Sequence, residues 1–217
     1  MMLRFVVLTC WILRCGSLAG QVRPGYDHLE PTPSYFDSYN YEHSYYQAVR
    51  NVLCAGLPDD PLARVFVRRS FQPEYVLSLE EKDQHYSLTY RVCRSSVWVR
   101  LAEKNHQPVS VHTSRVPLRP PVARAVAQAF NAAIGQTRYP TGGSQSGLDG
   151  TRYTFAAFQR GIGMQSGETW SPRPQTRMWA LVELQKTLRL VALTPTNGLL
   201  QQHLLQQAQQ LLPRLSK

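Results

Sequence analysis

Along residues 62–116, apolar side chains recur at every second position. Val65 and Val67 alternate with Arg64, Phe66 and Arg68, and Tyr75, Leu77 and Leu79 share one face. Tyr86, Leu88, Tyr90 and Val92 form an inward stripe opposed by His85, Ser87, Thr89 and Arg91. Val97, Val99 and Leu101 continue the alternation, and Val109, Val111 and Thr113 close it. A period of two is the signature of half-buried strands, and the short connections predict an antiparallel meander. Glu80-Glu81-Lys82-Asp83 is read as a charged turn within it. A further strand is expected over 151–158, with Tyr153, Phe155 and Ala157 on one face, between loops at 136–150 and 161–174.

Outside those runs the period changes to three and four. Residues 41–54 place Tyr41, Tyr45, Ala48, Val49, Val52 and Leu53 on one helical face, stopped by Gly56 and Pro58. Pro120 and Pro121 suit the first turn of a second helix, with Val122, Ala125, Val126, Ala129, Phe130 and Ala133 inward and Gly135 as its stop. A third helix carries Met178, Leu181, Val182, Leu184, Leu188 and Val191 up to Pro195. Thr196 is read as the cap of a last amphipathic helix, with Leu200, Leu204, Leu205, Ala208 and Leu211 against six glutamines. The expected fold class is α+β: an antiparallel sheet of about five or six strands, with helices packed mainly on one face.

The first twenty residues read differently. A head with Arg4 precedes the apolar run 5–13, and small residues follow, with Ser17 and Ala19 suiting a cut after Ala19. This is the order of a cleavable secretory signal. The competing readings are a buried N-terminal helix and a lipid-anchored Cys15, before which Arg14 is an ill fit. Nine apolar residues fall well short of the ~20 that span a bilayer. The expected organisation is a signal peptide at 1–20, a Pro/Tyr-rich leader at 21–40, a single α+β domain at 41–195 and a C-terminal helix at 196–217. The address is then exported: periplasm, cell surface or extracellular medium. The leader's rings (Tyr35, Phe36 and Tyr39) are expected to anchor it, although such rings also bind sugars and peptides.

Composition changes this picture only a little. The formal charge of +10 becomes about +8 without residues 1–20, and arginine supplies 20 of the 24 basic residues. The arginines are scattered, so they predict a soluble basic surface and no specific nucleic-acid partner. No transmembrane segment is expected in the mature chain. Cys54 and Cys93 would survive processing, and export permits a disulfide between them. Cys93 alternates onto the face opposite Tyr86, Leu88, Tyr90 and Val92. If the first helix covers that stripe, the two cysteines lie on different sides of the sheet, and the bridge is left open.

Several chemistries fail on spacing. Gly143-Ser144-Gln145-Ser146-Gly147 puts glutamine where a nucleophile elbow needs serine. Gly161, Gly163 and Gly167 have the wrong spacing for a phosphate-binding turn, and Trp170-Ser171-Pro172 intervenes before any helix. The six histidines are dispersed and the cysteines unpaired, so no metal or other cofactor is expected. His85 and His112 remain a pair that neighbouring strands could bring together on the wetter face.

Two segments are specific in wording. Leu148-Asp149-Gly150-Thr151-Arg152-Tyr153-Thr154-Phe155 sets a tight turn leading into an alternating strand, and Ser166-Gly167-Glu168-Thr169-Trp170-Ser171-Pro172 feeds the third helix. Together they resemble an LDG-x-x-Y-x-F … SP pattern of an uncharacterised family of small exported bacterial proteins, over roughly residues 62–193. The resemblance implies export and carries no activity. Asp149, Arg152, Glu168, Trp170 and Arg177 are the candidate binding residues, combining charge, a flat ring and loops near one end of the sheet. The expectation is a non-enzymatic envelope protein that binds a partner, either an envelope protein or a polymer, through loops 136–150 and 159–174. The alternative is a hydrolase of an envelope polymer using the wetter sheet face.

Overall fold

The structure, a computed structural model, describes residues 27–32, 43–103, 108–141 and 149–216. The expected signal segment and most of the aromatic leader lie outside the described residues. The fold is α+β, with a seven-stranded antiparallel sheet and five α-helices among the described residues. In chain order these are β1 (Glu30–Pro31), α1 (His43–Val49), β2 (Ala63–Arg69), β3 (Gln72–Lys82), β4 (His85–Cys93), α2 (Val97–Ala102), β5 (Val111–Leu118), α3 (Pro120–Ile134), β6 (Thr151–Gln159), β7 (Gly163–Trp170), α4 (Arg177–Leu193) and α5 (Gly198–Leu215). A π-helical turn, Arg50–Cys54, continues α1.

The sheet runs β1-β7-β6-β2-β3-β4-β5. Tight turns join β2 to β3 and β3 to β4, the longer connection from β4 to β5 contains α2, and α3 then carries the chain from the edge strand β5 back across the sheet to β6, beside β2. Asp83 and Gln84 both have positive φ, at 51° and 63°, which is the backbone of a two-residue hairpin turn. The β3–β4 connection is therefore Asp83-Gln84. Glu80 and Glu81 belong to β3, contrary to the charged turn expected there.

Strand alternation sorts the side chains onto two faces. Val65, Val67, Leu77, Leu79, Leu88, Tyr90, Val116 and Phe155 point toward α3, α4 and α5 and build the main core with Val126, Phe130, Leu181, Leu184, Leu204 and Ala208. Phe130 and Phe155 meet edge to face at 5.2 Å. Phe66, Val76 and Cys93 point the other way, into a smaller cluster with Tyr45, Val49, Leu53 and Val97. The three long helices thus share one face as expected, while α1 and α2 cover part of the other.

Three further expectations are corrected. Residues 97–102 form α2 and not a strand: Ser96 caps its first turn by accepting from Val99 N. Residues 163–170 form β7 and not loop. Their polar run is compatible with a strand next to the sheet edge, where most side chains stay partly exposed. The last helix is capped by Asn197, whose side chain accepts from Leu199 N and Leu200 N, in place of Thr196. That helix is packed, with Leu204, Ala208, Leu211 and Leu215 buried in the main core.

The domain also begins earlier than residue 41. Leu29 is fully buried in the main core, and β1 pairs Glu30 with Glu168 and Pro31 with Gly167. Gly167 is needed there: a Cβ on it would lie 2.8 Å from Leu29 Cβ and 2.5 Å from Thr137 Oγ1.

Candidate functional site

The α1/α2 face of the sheet carries a row of large polar and aromatic side chains across three strands. Register sets Arg68 of β2 directly opposite Arg152 of β6, and Arg152 opposite Trp170 of β7. Two like charges facing each other across a ladder are destabilising unless compensated. Both are compensated here. Glu168 forms an ion pair and hydrogen bond with Arg152. The guanidinium of Arg68 lies over the rings of Tyr45 and Tyr46, at 5.6 and 5.8 Å. Burial pushes the Glu168 carboxyl above the ordinary glutamate range, against the opposing pull of Arg152.

Next along this face, β3 is irregular. Val67 pairs with Tyr75 but Arg69 pairs with Gln72, so Pro73 and Glu74 face the single residue Arg68. The bulge turns Glu74 under α2. Its carboxylate is 1% exposed as a residue and accepts from Val97 N at 2.9 Å, Ser96 Oγ at 3.0 Å, and Trp98 N and Tyr45 Oη at 3.3 Å. A buried charge survives only with such a complement of donors. Burial first, and Glu74 second, raise the Tyr45 phenol far above its usual range.

Between this floor and α2 lies a cavity of about 470 Å³. Arg68, Glu74, Arg152 and Trp170 line it from the sheet, Trp98, Val99 and Ala102 from α2, and Asp149 and Gly150 from the start of β6. Gly150 lets the indole of Trp170 lie against the backbone, since a Cβ there would stand 2.7 Å from two ring atoms and from Ser171 Oγ. The nearby hydroxyls are occupied by structure. Ser70 Oγ donates to Gly150 O at 3.2 Å and accepts from Gly150 N at 3.1 Å, while Ser96 Oγ serves Glu74 and the α2 cap.

One more residue stands at the mouth. The β2–β3 hairpin turns through Ser70-Phe71, and Phe71 sits at φ 62° with 88% of its surface exposed. A bulky side chain in the left-handed region is an outlier, and glycine or asparagine is the usual occupant. Stability alone gives no reason for phenylalanine at this point.

Of the five residues singled out from sequence, Asp149, Arg152 and Trp170 line the cavity, and Glu168 holds Arg152. Arg177 is elsewhere. Its guanidinium donates to Asp27 O at 2.8 Å and Gln136 Oε1 at 3.3 Å, while the Asp27 carboxylate accepts from Arg177 N and Met178 N at 2.9 and 3.0 Å. This is a strap that fastens the residues before β1 to the start of α4. Sequence reading missed Arg68, Glu74, Trp98 and Phe71. The available signal was the turn itself: Arg-Arg-Ser-Phe-Gln-Pro joins two strands without the glycine or asparagine that such a turn favours.

The histidine pair does not form. His85 opens β4 opposite Lys82, where its Nδ1 hydrogen-bonds Asp83 O at 2.7 Å, whereas His112 pairs with Val92 near the other end of that strand. By alternation they also point to opposite faces. Cys54 and Cys93, by contrast, share the α1/α2 side, because α1 covers the face opposite the Tyr86–Val92 stripe; both are free thiols. Burial raises both thiols, Cys93 to about 12.

Among the described residues no group of three or more histidine, cysteine or acidic side chains could hold a metal ion, and no helix is long and apolar enough to cross a membrane. No protein-family model, curated protein or solved structure matches the chain.

Proposed function

We propose that this chain is an exported envelope protein that binds a ligand or partner in the α1/α2-face cavity and performs no covalent chemistry there. The observation that carries the reading is the convergence of Arg152, Trp170, Asp149, Trp98 and Phe71, from four separate segments, on one cavity of about 470 Å³. Such a volume suits a small molecule or the side chains of a bound segment. The hydroxyls at its wall are occupied in hairpin and cap bonds, and Glu74 is occupied by four donors, which favours binding over group transfer. The signal-like residues 1–20 support export.

A cavity-filling variant tests this. Ala102→Trp puts an indole into the cavity from α2. A thermal-shift screen of chemically diverse small molecules and short peptides on the mature chain is expected to give ligands that raise Tm, and Ala102→Trp is expected to abolish those shifts while the protein stays folded. Ligands that stabilise both proteins equally, or a screen with none, would sink the proposal.

A further inference from the structure

We infer that the cavity takes an uncharged, flat apolar molecule: a ring system held among Phe71, Trp98 and Trp170, with no charged head. This rests on the binding reading above and names the ligand class.

The floor disfavours a charged ligand of either sign. Arg152 is held by Glu168, the Arg68 guanidinium lies over Tyr45 and Tyr46, and Glu74 accepts from four donors. Arg69, the strand neighbour of Arg68, alternates to the opposite face and sets its guanidinium over Tyr75 at 5.3 Å. A charged group entering here would give up its water and find its counter-charge only by breaking one of these pairings.

The described lining residues also balance. Arg68, Arg69 and Arg152 stand against Glu74, Glu103 and Asp149, in a chain whose formal charge is +10. The basic bias of the chain therefore does not extend to this cavity. The hydroxyls of Ser70 and Ser96 are already bonded, so a sugar finds few groups to replace its lost water.

What remains to offer a ligand is apolar and largely aromatic. Phe71 comes from the β2–β3 turn, Trp98 from α2 and Trp170 from the end of β7. Phe71, Trp98 and the neighbouring Val99 line the cavity while 88%, 49% and 43% exposed. Exposed apolar side chains around one opening, one of them at a left-handed backbone position, are costly unless something apolar covers them. Rings gain most from another ring, met edge to face or in offset stacking. A free ring compound and the aromatic side chain of a bound peptide share this chemistry.

Calorimetric titration of the mature chain tests it with matched probes. These are 2-naphthol, its carboxylate counterpart 2-naphthoate, the cation 2-naphthylmethylammonium, and decahydro-2-naphthol, the saturated and puckered analogue. Naphthol is expected to bind at one site at least tenfold more tightly than either ion, and about fivefold more tightly than the saturated analogue. Comparable binding of N-acetyltryptophanamide assigns the ring to a peptide side chain, and weaker binding assigns it to a free compound. Trp98→Leu keeps an apolar group on α2 and should bring naphthol and its saturated analogue within twofold of each other. Phe71→Asn should weaken naphthol at least fivefold without lowering Tm, which a purely structural role for Phe71 would not do. Either ion binding as tightly as naphthol overturns the uncharged class, and equal binding of the saturated analogue overturns the flat ring. Naphthol binding that survives Ala102→Trp unchanged places the ring outside the cavity and overturns the inference. If naphthol fails but the earlier screen gives a charged ligand sensitive to Ala102→Trp, the ligand class falls and the binding reading stands.

Discussion

The two faces of one sheet are built on different terms. Toward α3, α4 and α5, alternate residues of β2, β3, β4 and β6 enter a large apolar core, and the helices close it. Toward α1 and α2, the buried set is mixed: Phe66 and Val76 sit among Arg64, Glu74, Ser78, Glu80 and Thr89, all below a tenth exposed. Each buried charge there has a specific partner. Arg64 donates from Nε to Ser78 Oγ and from Nη2 to Pro58 O, and Arg115 reaches Glu80 at 3.2 Å. A long amphipathic helix needs mainly apolar area against it, and the first face is accordingly mostly apolar, with Gln185 of α4 as a buried polar exception. Two short helical pieces cannot cover a sheet, and the second face is left with a cavity, cations and exposed rings. The larger apolar core lies on one side, and the cavity on the other.

The largest expected effect tests that division directly. Phe155→Ala removes a fully buried ring from the helix face and should cost about 3–5 kcal/mol in urea unfolding. Phe66→Ala, in the smaller cluster, should cost clearly less. The reverse order would mean that the α1/α2 side carries the fold.

Glu74→Ala comes next. It strands four donors in a buried place, and about 2–4 kcal/mol of stability should be lost. Glu74→Gln, which keeps one acceptor oxygen, should lose less. A loss of under half a kcal/mol, roughly the scatter of ordinary surface substitutions, would show that α2 does not depend on this carboxylate.

Phe71→Asn should change stability in the opposite direction. Relieving a left-handed phenylalanine is expected to raise stability by about 0.5–1 kcal/mol, read as a higher Tm. A fall would mean that Phe71 packs against the domain and that the exposed mouth is misjudged.

A smaller effect concerns pH. The native state raises the Glu168 pKa, so it holds that proton more tightly than the unfolded chain does. The contribution from this group is therefore fully present below the ordinary glutamate value and fades as pH rises through the raised one. An NMR titration of the Glu168 carboxyl should show a midpoint above the ordinary value, and Arg152→Met should move it higher, because Arg152 opposes the shift. A midpoint that stays put in the variant would separate Glu168 from the floor. Last, Cys54 and Cys93 should resist iodoacetamide at neutral pH until the chain unfolds, since burial keeps both thiols protonated. Rapid native labelling would show that this face opens.

Much of the fold was readable beforehand. The period-two runs placed β2, β4 and β6, and the period-three-and-four runs placed α3, α4 and α5, because each of these elements buries a full face and its pattern records that burial. The failures share a cause. Val97, Val99 and Leu101 alternate like a strand, but six residues are too few for periodicity to distinguish, and a carboxylate from β3 decided for helix. Residues 163–170 carry almost no apolar pattern, because a strand near an edge buries little.

For the site, the sequence by itself determined the chemical types: Asp149, Arg152, Glu168 and Trp170 were visible as unusual wording near turns. Only the tertiary structure decided which of them meet. Strand register put Arg68 opposite Arg152 and Trp170 beside it, a bulge swung Glu74 under α2, and the helix order sent Arg177 away to hold Asp27. Those placements depend on pairings between residues about 80 and 150 positions apart. A local pattern holds no record of such distant partners. It records how much of a segment is buried, and leaves open what the segment is buried against.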